Sequence, residues 1–284
     1  MDAVLVEIDR APRRTLGDAV DLRGIGVHTG APCAVRVQPA PFGTGVVLRD
    51  PERPEIEVPA RLQQVVGGAG ATVLARDGLR IGTVEHLLAA LHGAGVTDAT
   101  VEVRGPEIPI LDGSARPFAD ALAEVGIVQG PPGPVLGVTA PVEVVAHGGR
   151  ARITPAARCE VAVDVDFGPE GPRGHAEVVL EGDRFRQEVA FARTFVLARD
   201  VERLRAAGRG AGATAENTVV WGPAGPHGPL LVPDEPVRHK LLDLVGDLAL
   251  LGAPLRGRVV VERGSHALHH ALLGALLGGG RGSR

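Results

Sequence analysis

The sequence predicts an α+β fold in two domains, and three observations carry the prediction. At 284 residues the chain is long for one hydrophobic core and fits two. The run Gly130-Pro131-Pro132-Gly133-Pro134 reads as a linker and divides the chain into residues 1–133 and 134–284. Each half then reads as several strands with two helices, the pattern of sheet-and-helix layers. The halves share no convincing residue-level repeat, which leaves a structural duplication open.

Residues 1–15 read as a loosely ordered lead-in or a short edge strand. Strands at 18–22 and 33–37 flank Gly24-Ile25-Gly26-Val27-His28-Thr29-Gly30. Those glycines neither open a helix nor precede a βαβ pattern, so a turn between antiparallel strands is expected rather than a phosphate loop. His28, in that turn, is expected to face solvent. Short strands follow at 46–49 and 55–58, then a Gly-rich connection at 63–71, and strands at 72–75 and 79–81. Thr83 is the expected N-cap of a helix that Gly93 and Gly95 end, which puts Glu85 and His86 in its first turn. A strand at 99–103, a two-proline loop at 105–114 and a helix at 116–125 complete the half.

In the second half, strands are expected at 135–138, 142–146, 151–154, 160–167, 177–180 and 185–189. A helix near 200–207 and a strand at 217–221 precede Asp234-Glu235-Pro236, which starts a helix with acids where the helix dipole favours them. A strand at 258–262, a helix at 267–277 and a Gly/Arg tail expected to be disordered end the chain.

Composition narrows the function. Six Phe, one Trp and no Tyr leave the core to Val, Leu, Ile and Ala and supply no platforms for stacking bases. A net charge of −4 with interspersed signs argues against binding nucleic acid through its phosphates. Cys33 and Cys159 fit no CxxC pattern and read as two buried free thiols. The N-terminus carries acids where a signal peptide carries bases, and no apolar run approaches the ~20 residues of a membrane-spanning helix. The expectation is a cytoplasmic monomer without an integral membrane segment.

The chemistry concentrates in Arg238–Asp247, an amphipathic helix whose polar stripe is His239, Asp243 and Asp247, spaced four apart among leucines. A buried imidazole and two carboxylates need a cationic partner. His and Asp at i and i+4 suit two ligands of one metal ion, and a face salt-bridged to a basic neighbour is the alternative. Glu85 and His86 point about 100° apart on their helix, so they flank one point. A metal ligand beside a carboxylate that reaches the metal's water is a hydrolytic arrangement. His266, at a strand-to-helix turn, sits where anionic groups are held.

In combination these stretches resemble the UDP-3-O-acyl-N-acetylglucosamine deacetylases, zinc amidases of lipid A biosynthesis. The matching segments are GIGVHTG (24–30), TVEHLLAAL (83–91), GPEIPILDGSARPF (105–118), ARTF (192–195), RHKLLDLVGD (238–247) and SHAL (265–268). The resemblance runs in family order from about Thr15 to Leu277. It implies two domains, each a sheet with two helices, the helices packed together and the site between them. It implies Zn2+ held by His86, His239 and Asp243 with a fourth position for water, Glu85 as general base, and His266 stabilising the oxyanion. Asp247 would orient His266, and the Thr194 hydroxyl would add a bond to the oxyanion. Lys240, Arg263 and Phe195 would contact a UDP-linked, acylated glucosamine, from which the 2-acetamido group is hydrolysed to acetate.

The family's acyl-chain groove comes from an inserted βαβ-like element of the second domain, and residues 168–189, a short stretch here, are expected to correspond to it. Arg263 stands where the family usually has Lys, Ser265 where Gly is typical, Thr154 where Lys is frequent and Glu216 where Asp is frequent. Two rival readings are a zinc amidohydrolase of the same fold acting on another acylated amine, and a non-catalytic paralogue that binds lipid precursor. Retention of both Glu85 and His266 speaks against the second.

Overall fold

The computed structural model describes residues 4–67 and 70–278; the start of the lead-in, part of the Gly-rich connection and the tail expected to be disordered lie outside them. The chain opens with β1 (Leu5–Leu16), followed by β2 (Val20–Ile25), β3 (Pro32–Pro39), β4 (Val46–Asp50) and β5 (Arg53–Pro59). A hairpin of β6 (Leu74–Arg76) and β7 (Leu79–Ile81) precedes helix α1 (Glu85–Gly93), β8 (Ala99–Arg104) and α2 (Arg116–Val125). β9 (Ile127–Val138) leads into β10 (Val142–Ala146), β11 (Gly149–Thr154), β12 (Cys159–Asp166), β13 (Arg173–Val179) and the short helix α3 (Arg184–Glu188). β14 (Phe195–Leu197), α4 (Val201–Ala206), β15 (Val219–Gly222) and β16 (Gly225–Pro226) come next, then α5 (Glu235–Leu248), β17 (Leu255–Glu262) and α6 (His266–Gly278).

Strand β8 inserts between β3 and β4, giving the order β2-β3-β8-β4-β5, with β4/β8 parallel and the other pairs antiparallel. In the second half β17 inserts between β11 and β12 in the same way, giving β10-β11-β17-β12-β13 with β12/β17 parallel. One helix precedes each inserted strand (α1, α5) and one follows it (α2, α6). The duplication that residue comparison left open is present in the topology. Burial alternates along the central strands: Cys33, Val35 and Val37 on β3, Val101 and Val103 on β8, Val259 and Val261 on β17 face the core. Helices α1 and α5 pack on each other and are buried almost all round. Among the described residues no helix is long and apolar enough to cross a membrane.

Four expectations need correction. Of the two forms expected for the lead-in the edge strand is the one present, but it is not short: β1 runs twelve residues and pairs antiparallel with β9 at the end of its sheet. Gly130–Pro134 is not an irregular linker but the middle of β9, with Pro132 opposite Pro12 beside a register shift, where missing N–H donors are tolerated. Residues 185–189 lie mostly in α3 rather than a strand, because Phe185 and Val189, four apart, bury together while Arg184 and Glu188 pair outside. Thr83 does not cap α1: Val84 holds that position, and the helix has no side-chain cap.

Candidate metal and catalytic site

Gly246 on α5 lies so close to the Glu85 backbone that a side-chain carbon there would collide with it. This approach sets the first turn of α1 against the last turn of α5, and the rings of His86 and His239 meet edge to face with centroids 5.2 Å apart. His239 Nδ1 lies 3.0 Å from the Ala192 carbonyl. A carbonyl only accepts, so Nδ1 carries the proton and Nε2 turns its lone pair toward Asp243 Oδ1, 3.3 Å away. Ligand atoms of His86, His239 and Asp243 all lie within 4.8 Å of one another, and all three residues are buried. Two ligands about 2.1 Å from a tetrahedral ion stand about 3.4 Å apart, close to the His239–Asp243 spacing.

The protonation states also suit a metal. Burial, helped by His239, drives the His86 pKa down to about 3. Burial lowers His239 as well, against the pull of Asp243. Burial would raise the Asp243 carboxyl, but Lys240 and the histidines outweigh it and hold the group ionised. The cluster therefore offers two neutral imidazoles and a carboxylate, and the buried His86 Nδ1 has no hydrogen-bond partner among the described residues. These three residues can hold a metal ion.

Beside them, Glu85 Oε2 accepts the Thr72 amide at 2.9 Å, and Oε1 lies 3.9 Å from His266 Nε2. Burial pushes the Glu85 carboxyl up to about 7 in spite of His266. His266 Nδ1 bonds Asp247 Oδ2 at 2.7 Å, while its Nε2 lies 3.9 Å from Asp243 Oδ2. Burial alone would lower the His266 pKa; Asp247 and Asp243 outweigh it and bring it to about 9. Asp247 is a hub, also taking His269 Nδ1 at 2.7 Å and the Thr72 hydroxyl at 2.6 Å, with His270 Nε2 at 3.2 Å.

Two joined lobes open on this cluster. The first, about 360 Å³, is lined by Phe167, His239, Lys240, Asp243, Ser265 and His266 among others, and Lys240 Nζ bonds Asp243 Oδ2 at 2.6 Å. The second, about 410 Å³, runs between Val27, Ile110, Val196, Val201, Leu204 and Val220. Glu85, His86, Thr194 and Phe195 line both. Thr194 is pinned there by its amide on Gly113 O at 2.8 Å and its carbonyl on the Val219 amide at 2.9 Å. Arg263, in contrast, is exposed and lines neither lobe. His28 does not simply face solvent: it is half-buried in the second lobe, with Arg209 Nη2 2.7 Å from its Nε2, and burial and that guanidinium lower its pKa to about 4.

The expected groove at 168–189 is also displaced. Residues 168–189 line neither lobe, because β13 and α3 pack on α5 and α1 instead. The βαβ unit is β14-α4-β15, with its two strands parallel, and it walls the apolar lobe. Thr72, His269 and His270 were not expected at the site. The spacing 266, 269, 270 places three histidines on one helical face, a signal available in the sequence; nothing local marks Thr72.

Comparison with known proteins places the chain among deacetylases, a class of hydrolase. The LpxC family model, described as UDP-3-O-acyl N-acetylglycosamine deacetylase, matches residues 13–278. The UDP-3-O-acyl-N-acetylglucosamine deacetylase of Myxococcus xanthus is 41% identical over 267 residues, covering 92% of this chain and 85% of the relative. Its namesake from Anaeromyxobacter dehalogenans is 41% identical, covering 93% and 87%, and that from Thermosynechococcus vestitus is 40% identical, covering 93% of each chain. The chain belongs to the UDP-3-O-acyl-N-acetylglucosamine deacetylase family.

Proposed function

We propose that the protein hydrolyses the 2-acetamido group of UDP-3-O-(3-hydroxyacyl)-N-acetylglucosamine, releasing acetate and a free amine, as a zinc-dependent step of lipid A biosynthesis. The observation that carries this reading is the convergence of His86, His239 and Asp243 within 4.8 Å, with Glu85 and His266 at their side. His86, His239 and Asp243 would hold the zinc ion, which when bound would make the attacking water more acidic and polarise the amide carbonyl.

The chain's own groups do the rest. Glu85, buried and poised to exchange a proton near neutrality, takes the proton of the attacking water through the oxygen that Thr72 leaves free. His266, kept cationic by Asp247, faces the same point through Nε2 and stabilises the charge that develops on the carbonyl oxygen, with the Thr194 hydroxyl as a further donor. It then hands its proton to the departing amine. Phe195 and Lys240 line the first lobe, where the sugar and nucleotide would lie, and Arg263 is an exposed cation for the diphosphate end, two residues from Ser265 of that lobe. The apolar lobe walled by β14-α4-β15 receives the acyl chain, each buried methylene contributing about 0.8 kcal/mol.

The test is acetate release from the UDP-linked acylated sugar by native protein, chelator-treated protein and Glu85→Ala. Chelation and Glu85→Ala are expected to abolish turnover, with Glu85→Ala still binding zinc; undiminished turnover in either would refute the reading.

A further inference from the structure

Thr83 stands two residues before Glu85 in a conformation its own side chain disfavours, with φ at +55°. A β-branched residue in the left-handed region stays there only when its surroundings hold it. Here they do. The Thr83 hydroxyl donates to Glu107 Oε2 at 2.9 Å. Neighbouring Gly82 is stitched to the Glu107 segment by two backbone bonds, its amide on Pro106 O at 2.9 Å and its carbonyl on the Ile108 amide at 3.0 Å.

Glu107 is 3% exposed and takes three more donors, all from the Gly26–Gly30 turn. The His28 amide reaches Oε2 at 3.1 Å; the Thr29 amide and hydroxyl reach Oε1 at 2.7 and 2.6 Å. Burial would raise its pKa, but these bonds outweigh burial and keep the carboxylate ionised. With four donors it has little capacity left for substrate, so its effect passes through the segments it holds. Helix α1 has no side-chain cap to fix its start. The hydroxyl that would have capped it goes to Glu107 instead.

We propose that Glu107 is a positioning residue: by accepting the Thr83 hydroxyl it locks the left-handed turn that starts α1, and so sets Glu85 and His86 against α5. The same carboxylate folds the turn that carries His28 into the apolar lobe. The inference rests on the reading of Glu85 as base and His86 as metal ligand.

The experiment compares T83V, T83S, E107Q and the double variant T83G/E107Q. It measures kcat and KM for acetate release, and zinc affinity by competition with a chromogenic chelator. T83V keeps the branched shape and loses only the hydroxyl, so kcat is expected to fall about 10- to 100-fold, with zinc affinity falling in step. KM should move by less than about threefold, as befits misplaced reacting groups rather than lost substrate contacts. T83S restores the hydroxyl and should recover most of that loss. E107Q should fall as T83V does. Glycine takes a positive φ without strain, so T83G/E107Q should regain about tenfold or more over E107Q in kcat and zinc affinity. An unimpaired T83V, or a double variant no better than E107Q, overturns the proposal; should E107Q not fold, T83V against T83S decides it. The zinc arm reads the lock without turnover. A Glu85→Ala protein that still turns over would refute the base assignment and leave the zinc comparison intact.

Discussion

At the scale of single residues, the site is held by side chains outside the His86–His239–Asp243 trio. Asp247 carries the largest share: a fully buried carboxylate that fixes His266, His269 and the Thr72 hydroxyl at once. Asp247→Asn turns an amide N–H₂ toward at least one of those donors. We expect kcat to fall at least about 10- to 100-fold, the usual cost of losing an outer partner. Zinc stoichiometry should hold, because Asp247 is outside the His86–His239–Asp243 trio. Measured kcat, zinc content and urea midpoint together check this; an unchanged kcat would show that His266 needs no anchor. Asp247 was legible in sequence as a polar position in an apolar helix, and His266 as a residue at a strand-to-helix turn. Thr72 was not, because its partners lie 13 and 175 residues away.

At the scale of elements, α5 is the member on which the rest is aligned, and two of its residues make it testable. Gly246 permits the close crossing with α1, so Gly246→Ala should destabilise the protein by about 1–3 kcal/mol and weaken zinc binding, since Glu85 and His86 must shift. Thermal unfolding and zinc titration read both effects. Glu235, buried at the start of α5, is bound by Arg193 Nε at 2.8 Å and the Leu231 amide at 2.8 Å. Burial alone would raise its pKa; Arg193 and the amides outweigh burial and depress it. A depressed carboxyl stabilises the fold fully above its unfolded pKa, near 4.3, and loses that contribution as pH falls through the folded value. The urea midpoint of the native protein should therefore drop more steeply below about pH 4.5 than that of Glu235→Gln. Equal slopes would show that the pair has no differential effect.

At the scale of the whole molecule, one ion would be held by His86 from the first half and by His239 and Asp243 from the second. Zinc at 1,000 times its Kd should then stabilise the fold by about 4 kcal/mol, and His239→Ala should remove most of that increment. Calorimetry with and without chelator measures it. Fold class, the helices bearing Glu85-His86 and His239-Asp243, and the family were all readable from linear patterns, because helical periodicity and motif spacing are local properties. Only the tertiary structure showed that the Gly-Pro run is a strand, since its partner β1 lies more than a hundred residues away. It alone showed that the two sheets repeat one strand order, that the βαβ wall of the apolar lobe is residues 195–222, and that Glu107 rather than the helix start takes the Thr83 hydroxyl. The sequence by itself determined which side chains could do chemistry and on which elements they ride. Where those elements meet was decided by long-range pairing and close packing, which no window of neighbouring residues contains.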